Sequence, residues 1–177
     1  YTTVAKKYEC KVQKAGTKAA DGTTIEVYEG DIVIPEKAVY DNEEYTVVDV
    51  PTAVFKGVTT VTSVVFPSTI VKLNDGTFDG CTALTSVTFP PSITKIPAKC
   101  FQKCTGLTSI TIPGTVVDFG ADAFNGAVNL ESMTFAESDE AIAIPASIFN
   151  GGGFDKFTTL NPNRPIDGSK YTAMVEK

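Results

Sequence analysis

Apolar residues recur along this chain at one fixed spacing, the spacing from Phe55 to Phe78, which we call the repeat interval. Phe55, Phe78, Phe101 and Phe124 form the clearest series. The same interval relates three further series: Val61, Leu84, Leu107 and Leu130; Val64, Val87, Ile110 and Met133; and Phe66, Phe89, Ile112 and Phe135. A period of about 23 residues falls within the range of roughly 20 to 50 that is the signature of a solenoid, in which equivalent units stack on one another. The pattern therefore predicts a stack of short coils around one apolar interior.

Each unit begins with a segment that alternates between apolar and polar residues. Leu84, Val87 and Phe89 reproduce the spacing L-x-x-L-x-L of leucine-rich repeats, in which a short strand sends alternate side chains inward. Pro90 then ends the strand, because proline has no N–H for a continuous ladder. Pro67 and Pro113 occupy the equivalent positions.

The remainder of each unit predicts a compact arc. A second apolar pair, such as Ile93 and Ile96, precedes a turn and then the phenylalanine. The arc is too short for more than about one helical turn. We therefore predict an α/β fold: a right-handed leucine-rich-repeat solenoid of about five repeats with a parallel strand ladder.

Both ends of the stack are expected to be capped. Residues 8–12 and 24–28 alternate and are separated by Gly-containing turns, which predicts an N-terminal β-hairpin. Residues 32–35 resemble the strand and proline of a repeat, and residues 41–44 predict a polar turn. Near the other end, Phe149 lies farther from Phe124 than the repeat interval, and residues 161–165 predict an irregular tail. We expect one domain, 1–177, with an N-terminal cap at 1–46, repeats at 47–157 and a C-terminal cap or tail at 158–177.

Charge bears on the class of partner. The formal net charge is −6 and the pI is near 4.7, which argues against nucleic acid because phosphates need clustered Lys and Arg. Residues 1–20 carry five Lys and one Glu, whereas residues 21–50 carry nine acids and only Lys37. This asymmetry is typical of a solvated cap surface, and a docking patch is the alternative.

The compartment has to be inferred indirectly. No apolar run approaches the roughly 18–20 residues that a membrane span requires. The chain begins at Tyr1 and not at Met, so we expect that a targeting segment has been removed.

Two of the four cysteines share one position in neighbouring repeats. Cys81 and Cys104 are separated by the repeat interval and occupy the position where leucine-rich repeats use Asn or Cys to meet buried backbone groups. A buried thiol is favoured over a disulfide between them. Cys100 closely precedes Cys104, but the chain has no His and no C-x-x-C pair, so a metal site is disfavoured. Cys10 has no evident partner.

Catalytic chemistry is also disfavoured. Without His, the Ser-His-Asp and Cys-His arrangements are excluded. A pair of carboxylates remains formally available, but Asp75, Asp79, Asp118 and Asp122 fall in the arcs, where solvated turn residues are the simpler interpretation. No glycine-rich phosphate motif is present, and no cofactor or metal is expected.

The outward positions of the strands form the candidate site. They make two columns of small side chains: Ser63, Ser86, Ser109 and Ser132, then Val65, Thr88, Thr111 and Thr134. Solenoids bind partners on extended surfaces of this kind, although Ser and Thr also simply suit exposed strands. The chain has no Trp, and most of its six Tyr lie in the N-terminal third, so a stacking platform for sugars is lacking on the repeats. Broad contact with a protein is favoured.

The segment at residues 78–90 resembles the BspA-like leucine-rich repeat family of bacterial surface proteins. Its approximate pattern is F-x-G-C-x-x-L-x-x-[IV]-x-[IL]-P, and the likeness extends over roughly residues 32–157. The chain departs from the pattern at Lys103, Ala127 and Ala136, where Gly, Cys and Pro are expected. The resemblance implies a secreted or surface-displayed protein, and some members are similar to adhesins for host matrix proteins such as fibronectin or fibrinogen.

These observations together favour a non-enzymatic bacterial surface or envelope protein that recognises another protein, with adhesion to host matrix proteins as one form of that role. An envelope module that binds or processes glycans is the alternative, and a structural spacer without a ligand is a third interpretation. The oligomeric state cannot be read from the sequence.

Overall fold

The computed structural model describes residues 9–11, 29–40, 42–142, 144–149 and 159–162. These residues form short strands and one 3-10 helix, Ala146–Phe149. The strands are β1 (Glu9–Lys11), β2 (Gly30–Val33), β3 (Lys37–Tyr40), β4 (Glu43–Asp49), β5 (Val61–Val65), β6 (Ser86–Thr88), β7 (Lys95–Ile96), β8 (Ser109–Ile112), β9 (Asp118–Phe119), β10 (Ser132–Phe135) and β11 (Thr159–Pro162).

Parallel ladders join equivalent strands of successive repeats. One ladder has the order β2-β5-β6, and a second has the order β11-β10-β8. Val64 lies opposite Val87 and Ile110 lies opposite Met133, so the repeat interval of the sequence is also the structural register. β8 ends immediately before Pro113, as predicted. A further parallel pair, β7 with β9, follows the strand turns. The predicted repeat architecture with parallel ladders is therefore confirmed.

The phenylalanine series forms a single internal column. Ring centroids are 5.3 Å apart between Phe55 and Phe78, 5.4 Å between Phe78 and Phe101, and 5.2 Å between Phe101 and Phe124. The planes of adjacent rings differ by at most 15°, and all four side chains are fully buried. Stacked aromatic pairs add about 0.5–1.5 kcal/mol beyond the burial of their area. The column therefore ties each coil to the next.

Left-handed residues shape the arc of each repeat. They occur in closely spaced pairs, with φ between 55° and 79°. The pairs are Ala53 and Gly57, Gly76 and Gly80, Lys99 and Lys103, and Asp122 and Gly126. An α-helix cannot continue through such residues. The α/β class is accordingly wrong for the described residues, whose arcs are turns and whose only helix is the 3-10 helix.

Backbone hydrogen bonds connect these arcs along the stack. Gly76 N donates to Ala98 O at 2.9 Å, and Phe78 N donates to Cys100 O at 2.9 Å. Gly80 N donates to Gln102 O at 2.7 Å, and the equivalent bonds recur one repeat further on. The turns of one arc thus satisfy the polar groups of the next without a helix.

The N-terminal region contains a hairpin that the sequence did not predict. β3 and β4 are antiparallel, with Ala38 opposite Tyr45, and β1 lies parallel to β4 on its other side. Residues 24–28, one arm of the predicted hairpin, lie outside the described residues, so that prediction stays open. The turn predicted at 41–44 is shorter, because β4 already begins at Glu43. β2 pairs with β5 as the strand of a first repeat, as expected.

The C-terminal end departs from the predicted tail. β11 includes Asn161 and Pro162 and lies parallel to β10, so an irregular path is wrong for these two residues. Pro162 is tolerated because it is the last residue of the strand. Residues 163–165 lie outside the described residues. Despite its shifted interval, Phe149 contacts Phe124 at a centroid distance of 5.8 Å and a tilt of 34°.

Replacement of Phe101 by alanine tests the aromatic column. Because Phe101 stacks on both neighbours and is fully buried, Phe101→Ala is expected to lower the free energy of unfolding by about 3–5 kcal/mol. Val128→Ala is the control, since Val128 is 46% exposed. Urea denaturation gives both values, and equal stability of Phe101→Ala and the unmodified protein would contradict the packing.

Lys103 allows a test of the arc geometry. Its φ of 58° is unfavourable for a residue with a Cβ, whereas Gly80 and Gly126 occupy the equivalent positions. Lys103→Gly should be more stable than Lys103→Ala by about 1 kcal/mol, because both remove the charge but only glycine relieves the backbone. Thermal and urea unfolding of the two variants measure this difference. A more stable alanine variant would show that the left-handed conformation is absent.

Candidate functional site

The outward side chains of β2, β5, β6, β8 and β10 lie on one surface, termed the strand face. The predicted site residues are all on it. Ser86, Thr88, Ser109 and Thr111 are exposed, as is Val65, whereas Ser63, Ser132 and Thr134 are half-buried. Their inward neighbours Val64, Ile110 and Met133 are buried and Val87 is half-buried, so the strands alternate as predicted, least completely at Val87.

The ladder register aligns these residues in two groups. Ser63 lies opposite Ser86 and Val65 opposite Thr88 in the first ladder. Ser109 lies opposite Ser132 and Thr111 opposite Thr134 in the second. Within the described residues β6 and β8 belong to different ladders, so a seam separates Thr88 from Thr111. The structure thus brings the predicted columns together on one surface, with an interruption at its middle.

Two residues that the sequence reasoning missed extend the strand face. Asp31 lies opposite Ser63, and Val33 lies opposite Val65. A signal is present in the sequence, because residues 32–35 resemble a repeat strand. However, Ile32 pairs with Val64, and these two residues are separated by more than the repeat interval. Asp31 is therefore missed when site residues are located by counting back one repeat interval from Ser63.

Hydroxyl groups hold the Asp31 carboxylate in place. Ser63 Oγ donates to Asp31 Oδ1 at 2.6 Å, and Thr62 Oγ1 donates to the same oxygen at 2.9 Å. These hydrogen bonds, that of Ser63 first, lower the pKa of Asp31 below its ordinary value. Asp31 is therefore a negative charge at neutral pH with a fixed orientation.

A shallow groove lies beside the end of the second ladder. Its volume is about 860 Å³, and Pro91, Thr94, Pro113, Gly114, Thr115, Ala136, Glu137, Ser138, Asp139 and Glu140 line it. Glu137, Asp139 and Glu140 are its acidic lining residues, but no group of three or more Asp, Glu, Cys or His in the described part of the chain is arranged to hold a metal ion.

A family model described as a BspA type leucine rich repeat region, with six copies, matches residues 42–169. The chain belongs to the BspA-type leucine-rich repeat family. This confirms the resemblance found in the repeat pattern. The repeat count predicted from the sequence, about five, is not confirmed by this match. A comparison with curated proteins finds no match.

Solved structures share the fold. The pneumococcal vaccine antigen PcpA is 16% identical with a TM-score of 0.63, and the match covers 77% of this chain and 31% of that one. A leucine-rich repeat protein of T. pallidum is 21% identical with a TM-score of 0.53, covering 84% of this chain and 78% of that one. This chain therefore spans less than a third of the pneumococcal antigen.

The cysteine column of the BspA-type repeat is buried, and its thiols donate hydrogen bonds to backbone carbonyl groups. Cys81 Sγ donates to Phe55 O at 3.0 Å, and Cys104 Sγ donates to Phe78 O at 3.1 Å. These thiols and that of Cys100 are free, so the buried-thiol interpretation is confirmed and the disulfide alternative is wrong. Ala127 is the equivalent residue in the next repeat and has no thiol to donate. The side chain of Cys10 lies outside the described set.

Burial also sets the chemistry of the thiols. It raises the pKa of Cys81 to about 12, and the pKa values of Cys100 and Cys104 are raised as well, with burial as the largest cause. A thiol is nucleophilic only as the thiolate, so these cysteines are inert at neutral pH. They act as structural donors within the repeat.

The acids of the arcs make local contacts. Asp118 pairs with Lys95 at 2.7 Å, and an Asp75 oxygen accepts a hydrogen bond from Ala98 N at 3.1 Å. Asp79 pairs with Lys56 at 2.9 Å and is only 9% exposed, so its assignment as a solvated turn residue is wrong. Each of these contacts joins one repeat to the next on the arc side.

No helix among the residues that the structure describes is long and apolar enough to cross a membrane.

Thiol labelling tests the buried cysteines. In a Cys10→Ser variant, Cys81, Cys100 and Cys104 are the remaining thiols, and we expect no reaction of the folded protein with Ellman's reagent at about pH 8. After unfolding in guanidinium all of them should react, because both burial and the raised pKa values are then lost. Rapid labelling of the folded variant would contradict the buried column.

Proposed function

We propose that this chain is a non-enzymatic protein of the bacterial surface or envelope whose strand face binds another protein. The observation that carries the proposal is the strand face itself. Its exposed hydroxyl and methyl groups are held in register by backbone ladders, while the side chains between them are buried or, at Val87, half-buried. Such a surface is rigid before binding, which reduces the entropy that a partner must lose with it.

Chemistry on the described residues supports a binding role over catalysis. Asp75, Asp79 and Asp118 of the arcs are engaged in ion pairs or a backbone contact. The cysteines of the repeats are buried thiols with raised pKa values. The chain has no His. These features favour recognition, and they agree with the low density of ionisable groups on the strand face.

Family membership supports the location. BspA-like proteins are bacterial surface proteins, and the resemblance makes host matrix proteins such as fibronectin and fibrinogen the first partners to test. Aromatic side chains do not interrupt the strand face, because the phenylalanines of its five strands and of the arcs are buried. A platform for stacking sugars is therefore lacking there, which makes glycan recognition the second candidate.

Arginine substitutions on the strand face test the proposal. Thr88→Arg combined with Thr111→Arg places two large cations on exposed positions on either side of the seam. We expect this variant to lose binding to immobilised fibronectin or fibrinogen, measured by biolayer interferometry. Its free energy of unfolding should change by no more than about 0.5 kcal/mol, because both sites are on the surface.

The matched control places arginines elsewhere at the same spacing. Thr94 and Val117 are exposed and are also separated by the repeat interval, so Thr94→Arg with Val117→Arg adds equal charge outside the strand face. The control should bind normally. Binding that survives Thr88→Arg with Thr111→Arg would reject the strand face, and specific signals on a glycan array without protein binding would favour the glycan-binding alternative.

A further inference from the structure

The charged groups on and beside the strand face are negative. Its five strands hold no Lys or Arg in the described residues, whereas Asp31 lies on its first strand. Glu131 is exposed directly before β10, at the other end. Lys37, the basic residue of the acidic N-terminal region, pairs with Glu44 at 2.6 Å and does not neutralise Asp31. A complementary partner segment is therefore basic.

Asp31 is prepared to accept a cation. Both hydroxyl donors bind Oδ1, so Oδ2 has no donor among the described residues and remains available to a partner. The same hydrogen bonds fix the rotamer of the carboxylate. An ordered carboxylate loses less conformational entropy on pairing than a freely rotating one.

Apolar surface lies next to that carboxylate. Val33 is 70% exposed and Val65 is 36% exposed, and the two are neighbours across the ladder. Val33 follows Asp31 by two residues on the same face, which places them about 6–7 Å apart along the strand. The aliphatic part of a lysine or arginine side chain spans roughly this distance, and such side chains bury their stems on apolar surface while the charge stays solvated.

We propose that this end of the strand face binds a cationic side chain of the partner protein, with its charge on Asp31 Oδ2 and its stem on Val33 and Val65. Asp31 is then a specificity-determining residue, and the preferred partner is an extended basic segment. This inference rests on the strand face as the binding surface.

Peptide selection tests this preference without a known partner. A random linear peptide library is selected on the unmodified protein, and peptides blocked by Thr88→Arg with Thr111→Arg are kept as ligands of the strand face. These peptides should be enriched in Lys or Arg. Asp31→Asn should bind them about twofold to fivefold more weakly, the range for one exposed ion pair, with a smaller loss at high salt.

Asp122→Asn is the matched control. It removes the same charge from an arc, and asparagine tolerates the left-handed backbone of residue 122. The control should bind the peptides as the unmodified protein does. Val33→Ser should weaken binding also, because it removes apolar contact and leaves Asp31 charged.

The outcomes separate this inference from the proposed function. Selected peptides without basic enrichment, or equal affinity for Asp31→Asn and the unmodified protein, would overturn the role of Asp31 and leave the strand face as the binding surface. Equal weakening by Asp31→Asn and Asp122→Asn would show a net-charge effect and would overturn it as well. Failure to obtain any peptide that the arginine pair blocks would count against the strand face itself.

Discussion

Stacking of one phenylalanine per coil is the contact on which the rest of this structure depends. The ring centroids are 5.2–5.4 Å apart and the rings are nearly parallel. This stacking sets the distance between successive coils along the stack. That constraint fixes the register of the strands. It also brings side chains that are one repeat apart in sequence, such as Ser63 and Ser86, into adjacent positions on the surface. Internal packing thereby determines external recognition.

The sequence predicted the features that repeat in side-chain chemistry. Apolar columns and strand-ending prolines recur, so strands, core and outward columns could be located. The left-handed backbone conformations could not be predicted in the same way. Ala53, Lys99, Lys103 and Asp122 adopt a positive φ, which a sequence indicates only where it has glycine. The arcs were therefore compatible with a helical turn on sequence grounds, whereas the structure shows turns linked by backbone hydrogen bonds.

The candidate site was predictable in position but not in character. Ser86, Thr88, Ser109 and Thr111 occupy equivalent columns and could be located for that reason, yet those residues carry no charge. Asp31, the carboxylate held by two hydroxyl donors, lies in a first coil whose interval to the next differs from the others. At Pro162 the sequence predicted an irregular tail, whereas the structure has a strand. A proline is compatible with a strand when it is the last residue, as it is in β11. Sequence reasoning therefore failed where the repeat interval changes, and the charged residue of the strand face lies at such a place.

The seam between β6 and β8 affects how the molecule carries force. Backbone bonds between these coils lie on the arc side, for example from Phe101 N to Ala123 O, while the strands beside Thr88 and Thr111 belong to separate ladders. Tension along the stack would have to cross this seam. At the seam the hydrogen bonds between the arcs and the stacked phenylalanine rings would carry that tension, because β6 and β8 belong to separate ladders. A partner that spans Thr88 and Thr111 would therefore bridge the two ladders at the place where the described strand backbones are not bonded to each other.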